Sequence, residues 1–148
     1  MLPEPRGLST PEIQAYVRLF KSSVSVSDSV ALAAAFDNYI FGETFGLQMW
    51  KGAGETKVYA PVRGIYSAAW MVNWTASGTG QRFTKIFRNG SEVCGNSVAG
   101  HGTFTQRLQA THPCIFMQAG QYLEGYFETV GATLNASGVF HMALIKQI

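Results

Sequence analysis

Residues 1–22 carry a different hydrophobic rhythm from everything after them. Ile13, Tyr16, Val17 and Phe20 recur at i, i+3, i+4 and i+7, the spacing of one helical face. Just upstream, Ser9 is placed to cap a helix and Glu12 follows three residues later, as in a capping box. Pro11 falls in the first turn, where a missing N–H costs little. The pattern predicts a short amphipathic helix from about residue 10 to 21, after an extended start at Pro3 and Pro5. Alone in water such a helix is marginal. Its apolar stripe therefore needs a partner, either its own domain or a neighbouring subunit, and the second option makes residues 1–22 an anchoring arm.

From Ser22 the period falls to two. Ser23-Val24-Ser25-Val26-Ser27 alternates strictly, as a half-buried or edge strand does. Val30 to Phe41 fits helix or strand by composition, and the strand-rich chain that follows favours strand. Gly64 to Thr75 is a long β run closed by Ser77-Gly78-Thr79-Gly80, and Gln81 to Arg88 follows it. Within that run Phe83 and Phe87 share a face opposite Ile86. Asn89-Gly90 is the strongest short hairpin signal in the chain. Gly95, Gly100 and Gly102 predict a loop. Further β regions are expected over Thr103 to Met117 (interrupted near Pro113), Tyr122 to Thr129 and Val139 to Ile145, with turns at Ala119-Gly120-Gln121 and Gly131. Short strands and frequent turns without intervening helices predict an all-β antiparallel sandwich or barrel for residues 23–148.

The chain's 148 residues fit one domain, and 47% hydrophobic residues supply one real core. Only 14% are charged, against about 25% in an average soluble domain. A surface so poor in charge suits a protein that hides part of itself in an assembly; a surface rich in Ser, Thr, Asn and Gln is the alternative. The net charge is +2 and no Lys/Arg run stands out, so no nucleic-acid partner is expected. The longest apolar run, Val30 to Phe36, has seven residues. Spanning a bilayer takes about 20, so no membrane insertion is expected. The start MLPEPRGLSTPE lacks an apolar core and does not read as a secretory signal. Cys94 and Cys114 permit one disulfide at most, and free thiols packed as small hydrophobes are the favoured state.

Candidate chemistry is sparse. The chain has no GxxxxGK[ST], HExxH, GxSxG or CxxC. His112 and Cys114 flank Pro113, a spacing that says little about a nucleophile pair. His101, His112 and His141 show no ligand spacing, although His141 alternates with Phe140 and Met142 and so faces away from them. Glu124 and Glu128 share a strand face about 13 Å apart, beyond the roughly 5–9.5 Å of paired glycosidase carboxylates, and read as a solvated face. With only Asp28 and Asp37, no Asp-rich calcium loop is present. No catalytic residue, cofactor or metal is expected. Asn73-Trp74-Thr75, Asn89-Gly90-Ser91 and Asn135-Ala136-Ser137 match the glycosylation sequon but read as turn and strand residues. Trp50, Trp70, Trp74, Tyr122 and Tyr126 are candidates for a receptor or carbohydrate surface, with most of them expected in the core.

Four segments in order carry a resemblance. Val58-Tyr59-Ala60-Pro61-Val62-Arg63-Gly64-Ile65-Tyr66 resembles a stretch that leads into a central strand of the tumour-necrosis-factor and complement globular-head superfamily. Ile86-Phe87-Arg88-Asn89-Gly90 is similar to its strand-then-Asn turn. Phe116 to Leu123 is similar to its strand, Gly-Asp turn and next strand, with Gln121 where Asp is usual, and Ser137 to Ile145 resembles its closing strand. The match covers about residues 57–148, and 24–50 more weakly. The resemblance implies a ten-strand jelly roll that forms a homotrimer. It places one face of the 64–75 strand and one face of the last strand on the threefold axis, with Ser67, Ala69, Met71 and Phe140 as the implied interface; the alternative is that these are core residues of a monomer. Similar domains occur in bacteriophage virions. The lack of a signal or a Gly-X-Y stalk, the docking helix and the low charge point to that setting: a structural virion protein, decorating a head or built into a tail or fibre. Its partners would be its own copies, other virion proteins through the arm, and a host glycan or receptor. The alternative is a secreted or surface recognition module.

Overall fold

The computed structural model describes residues 15–43 and 48–148, with 41–43 described by backbone alone. Among these residues the chain forms strands β1 (Tyr16–Val26), β2 (Leu32–Ala33), β3 (Asn38–Glu43), β4 (Val58–Tyr59), β5 (Gly64–Trp74), β6 (Gln81–Arg88), β7 (Ser91–Ala99), β8 (Gln106–Met117), β9 (Tyr122–Val130) and β10 (Leu134–Gln147). Every pairing is antiparallel. One sheet runs β3-β1-β10-β5-β8. The other runs β2-β9-β6-β7, with β4 beside β2 on the same edge of β9. The result is an all-β jelly-roll sandwich.

The alternation in β5 builds the core. Tyr66, Ala68, Trp70, Val72 and Trp74 point inward and are buried, while Ile65, Ser67, Ala69, Met71 and Asn73 point outward and are half-buried. Trp70 meets Phe127 edge-on with ring centres 5.0 Å apart, and Phe36 at 5.8 Å. Such pairs contribute about 0.5–1.5 kcal/mol each beyond the area they bury. Each tryptophan can be buried because each indole N–H has an acceptor. Trp50 donates to the Glu55 carbonyl, Trp70 to the Tyr126 carbonyl and Trp74 to Thr84 Oγ1.

Turns fall where the residues demand them. Asn89 and Gly90 have φ of 46° and 83° and close the two-residue hairpin between β6 and β7. Pro113 lies in β8, an edge strand, where the ladder to β5 shifts register between Tyr66 and Ala68.

Three expectations are corrected. Residues 16–21 are strand, not helix: β1 pairs with β10 on one side and β3 on the other. Ala15, Val17 and Leu19 are buried while Tyr16, Arg18 and Phe20 face outward, so this run satisfies periods of two and of 3.6 at once. Neighbouring ladders on both sides decide for strand. The stripe of Tyr16, Val17 and Phe20 is thus split across two faces, and Ile13 lies outside the described residues. β1 also runs unbroken through the 22/23 boundary drawn for the arm. The second correction is Gly95, which sits inside β7 and not in a loop. The third is Val30–Phe41, which yields the two-residue β2 and the start of β3, with buried Phe36 between them.

Register defines two ends. Tyr16 pairs with Ala143 and Gly64 with Met117, so β1 begins where β10 finishes. At the opposite end Val26 pairs with Leu134 and Trp74 with Gln106. Loops 27–31, 75–80, 100–105 and 131–133 therefore cluster at that second end.

Candidate functional site

The outer face of the first sheet is a grid set by register. Ser67, Ala143 and Tyr16 form one row; Ala69, His141 and Arg18 the next; Met71, Val139 and Phe20 the third. Most are small or apolar, and Arg18 is the one arginine or lysine among the nine. Phe20 is 40% exposed. Burial, and then the Arg18 charge, holds the His141 imidazole below the ordinary histidine value.

Of the residues expected on this face, Ser67, Ala69 and Met71 lie on it. Phe140 does not: it pairs with Trp70, is 0% exposed and packs in the core. Its place is taken by His141 and by Val139 and Ala143 at two-residue spacing. Tyr16 and Phe20, assigned to a helix stripe, join the face through β1. The alternation of Val139 to Ile145 was the signal available for the β10 residues.

A second feature is the loop end, organised from beneath by Arg82. Its guanidinium is fully buried and donates Nη1–H to the Thr79 and Gly80 carbonyls at 2.9 and 2.8 Å. Nη2–H donates to Ser77 at 2.8 Å and Thr75 at 3.5 Å. No carboxylate pairs with it among the described residues, and burial lowers its pKa. A side chain at Gly100 would collide with this guanidinium and come within 2.5 Å of the Ser77 carbonyl. The same end exposes Phe104, 58% accessible and stacked on His101 with ring centres 4.0 Å apart.

Groups with possible chemistry are dispersed or committed. The backbone N–H of Cys114 donates to His112 Nδ1 at 3.3 Å. Both cysteines are free; Cys114 is exposed, not packed as expected, and burial followed by Glu92 pushes the Cys94 thiol up. Glu124 is not solvated but 7% exposed, accepting from Thr56 Oγ1 at 2.7 Å, while Glu128 pairs with Lys85 at 2.6 Å. No cluster of metal-ligating side chains occurs among the described residues. Trp50, Trp70 and Trp74 are core, whereas Tyr122 and Tyr126 are half-buried on the outer face of the second sheet.

No family model and no curated protein matches the chain. Solved structures do. The globular domain of zebrafish complement 1qA protein superposes with a TM-score of 0.68 at 8% identity, over 90% of this chain and 99% of that one. The PRD1 vertex protein P5 gives 0.67 at 15%, over 89% and 97%. The Eiger TNF of S. frugiperda gives 0.56 at 12%, over 92% and 94%. The chain has the jelly-roll fold of the tumour-necrosis-factor and complement-head type.

Proposed function

We propose that this chain is a non-catalytic building block of a bacteriophage virion, a capsid decoration or tail or fibre component. It assembles as a homotrimer through the outer face of the first sheet and presents its loop end outward for attachment. The observation that carries this reading is the three-by-three grid of Ser67, Ala143, Tyr16, Ala69, His141, Arg18, Met71, Val139 and Phe20, nearly free of charge. Charge depletion marks the buried core of interfaces, and a ring of three closes such a contact without leaving a free patch. β1 begins at the end opposite the loops, and anchoring to other virion proteins through residues 1–14 would use that end. Three copies turn weak outward contacts into avidity.

A secreted or surface trimeric module for a receptor or glycan is the second reading, favoured by the exposed His101–Phe104 stack. Light scattering after size exclusion tests the shared core of both: about three times 16.1 kDa is expected, and a monomer would remove the assembly. Deleting residues 1–14 then separates them. Loss of incorporation into particles by a still trimeric protein supports the virion reading, and full incorporation counts against the arm.

A further inference from the structure

The outer face of the second sheet holds an open depression of about 350 Å³, lined by Phe83 and Lys85 of β6 and by Glu92, Gly95, Asn96 and Ser97 of β7. This lies at the small end of ligand sites, which run about 300–1,000 Å³. The face points away from the trimer grid, on the opposite side of the sandwich, so assembly leaves it open.

Gly95 is what keeps it hollow. A Cβ there would stand 2.7 Å from Glu92 Oε1 and 3.2 Å from Lys85 Cγ. The groups around the hollow divide into committed and uncommitted. Asn96 is committed: its Nδ2 donates to the Gln109 carbonyl at 3.3 Å and its Oδ1 accepts from the Ser97 N–H at 2.9 Å. Lys85 is drawn to Glu128 at 2.6 Å and stands 4.0 Å from Glu92. Glu92, 46% exposed, thus keeps its acceptor positions open to a ligand. Ser97 Oγ has one long contact, from Gln81 at 3.5 Å.

Apolar surface completes the lining. Phe83 is half-buried, with Lys85 Nζ 5.1 Å from its ring centre, which sets a donor beside the ring. Across the strand pair, Tyr126 is the register partner of Lys85 and stacks on Phe87 at 4.2 Å. Its hydroxyl has no hydrogen-bond partner among the described residues. One lysine and two glutamates leave a local charge of −1, which disfavours anions. An open aromatic patch rimmed by free acceptors and hydroxyls complements a ring with an apolar C–H face and hydroxyl edges.

We propose that this depression binds a neutral sugar unit of a glycan chain, with Phe83 against its C–H face and Glu92 and Ser97 taking its hydroxyls. The proposal deepens the recognition part of the reading above and does not depend on the trimer. An immobilised array of neutral and sialylated oligosaccharides, probed with the labelled full-length protein, tests it. Saturable binding to neutral oligosaccharides is expected. Phe83→Ala and Gly95→Ala should weaken it at least about tenfold, an effect of about 1.4 kcal/mol. Glu92→Gln should weaken it less, and Ile40→Ala, at an exposed residue of β3 in the other sheet, should leave it unchanged. Unaltered mass and thermal unfolding of Gly95→Ala and Glu92→Gln exclude misfolding. Binding to no neutral glycan, preference for sialylated ones, or wild-type binding by Gly95→Ala would each overturn the assignment. A monomer that binds neutral glycans keeps this site and removes the assembly reading, and a trimer that binds none does the reverse.

Discussion

The indole of Trp70 lies against the backbone of Gly138, so closely that a side chain at Gly138 would come within 2.6 Å of Cζ3. On the other side Gly125 makes a similar approach, 2.8 Å from Cδ2 for an added Cβ. The indole N–H then reaches the Tyr126 carbonyl at 3.0 Å and links the two sheets. Gly138→Ala is expected to destabilise the fold by about 1–3 kcal/mol, the usual cost of overpacking. Urea unfolding followed by tryptophan fluorescence measures this, and an unchanged midpoint would show that the indole can give way.

Arg82 supports its loops with donors alone. Arg82→Ala removes a buried cation and leaves the carbonyls of Ser77, Thr79 and Gly80 without it. At about 1.5–3 kcal/mol per hydrogen bond to a charged group, the loss should exceed one such bond. Limited proteolysis should cut first within residues 75–80. Lysine has fewer donors and no planar fork, so Arg82→Lys should recover only part of the stability. Equal protease resistance of Arg82→Ala and wild type would contradict this role.

Much of the fold was legible because several residues admit one local solution. Asn89-Gly90 called for a tight hairpin, and the bounds of β6, Gln81–Arg88, follow from the alternation around Phe83, Ile86 and Phe87. Tyr16 to Phe20 was illegible for a physical reason. Tyr16, Val17 and Phe20 fit a helical stripe as well as Val17 and Leu19 fit a strand, and the deciding partners, Met142 and Gly42, lie far off in the chain. Gly95 was read as a breaker, yet in β7 it makes room beside Glu92.

Which residues share the outer face of the first sheet was half legible for a similar reason. Alternation sorts β5 into two sets, but only register tells which set of β10 joins which. The pairs His141–Ala69 and Phe140–Trp70 make that assignment, and without them Phe140 and His141 are interchangeable.

The same register separates two substitutions. Ala69→Glu places a carboxylate in the middle row of the grid, beside His141, where three copies would bring like charges together. It should lower the solution mass from about three times 16.1 kDa to one, with the unfolding cooperativity of the sandwich retained. Phe140→Ala leaves a core cavity and should destabilise by about 3–5 kcal/mol. A trimeric Ala69→Glu protein would place the interface elsewhere.

His141 predicts a pH response. Its folded-state value lies below the ordinary 6.5, through burial and the Arg18 charge, so the unfolded chain binds the proton more readily. Stability is complete above about pH 6.5 and falls as pH drops through the folded value. Asp37, lowered chiefly by hydrogen bonds from Ser22, acts in the same direction but only below its ordinary 3.8. Thermal unfolding between pH 8 and 5 should therefore show a decline that His141→Asn flattens. An equal decline in that variant would assign the effect to another group.

The pairing of Tyr16 with Ala143 has a topological consequence. The first and last strands are neighbours, and residue 15 emerges near where β10 runs out at Gln147. A short linker between these points would close the backbone into a ring, and a cut between Gly102 and Thr103 would open it again in an exposed loop. Such a circular permutant keeps every ladder of the sandwich while moving both ends to the opposite pole, so the direction in which the molecule is tethered can be reversed without redesigning its core.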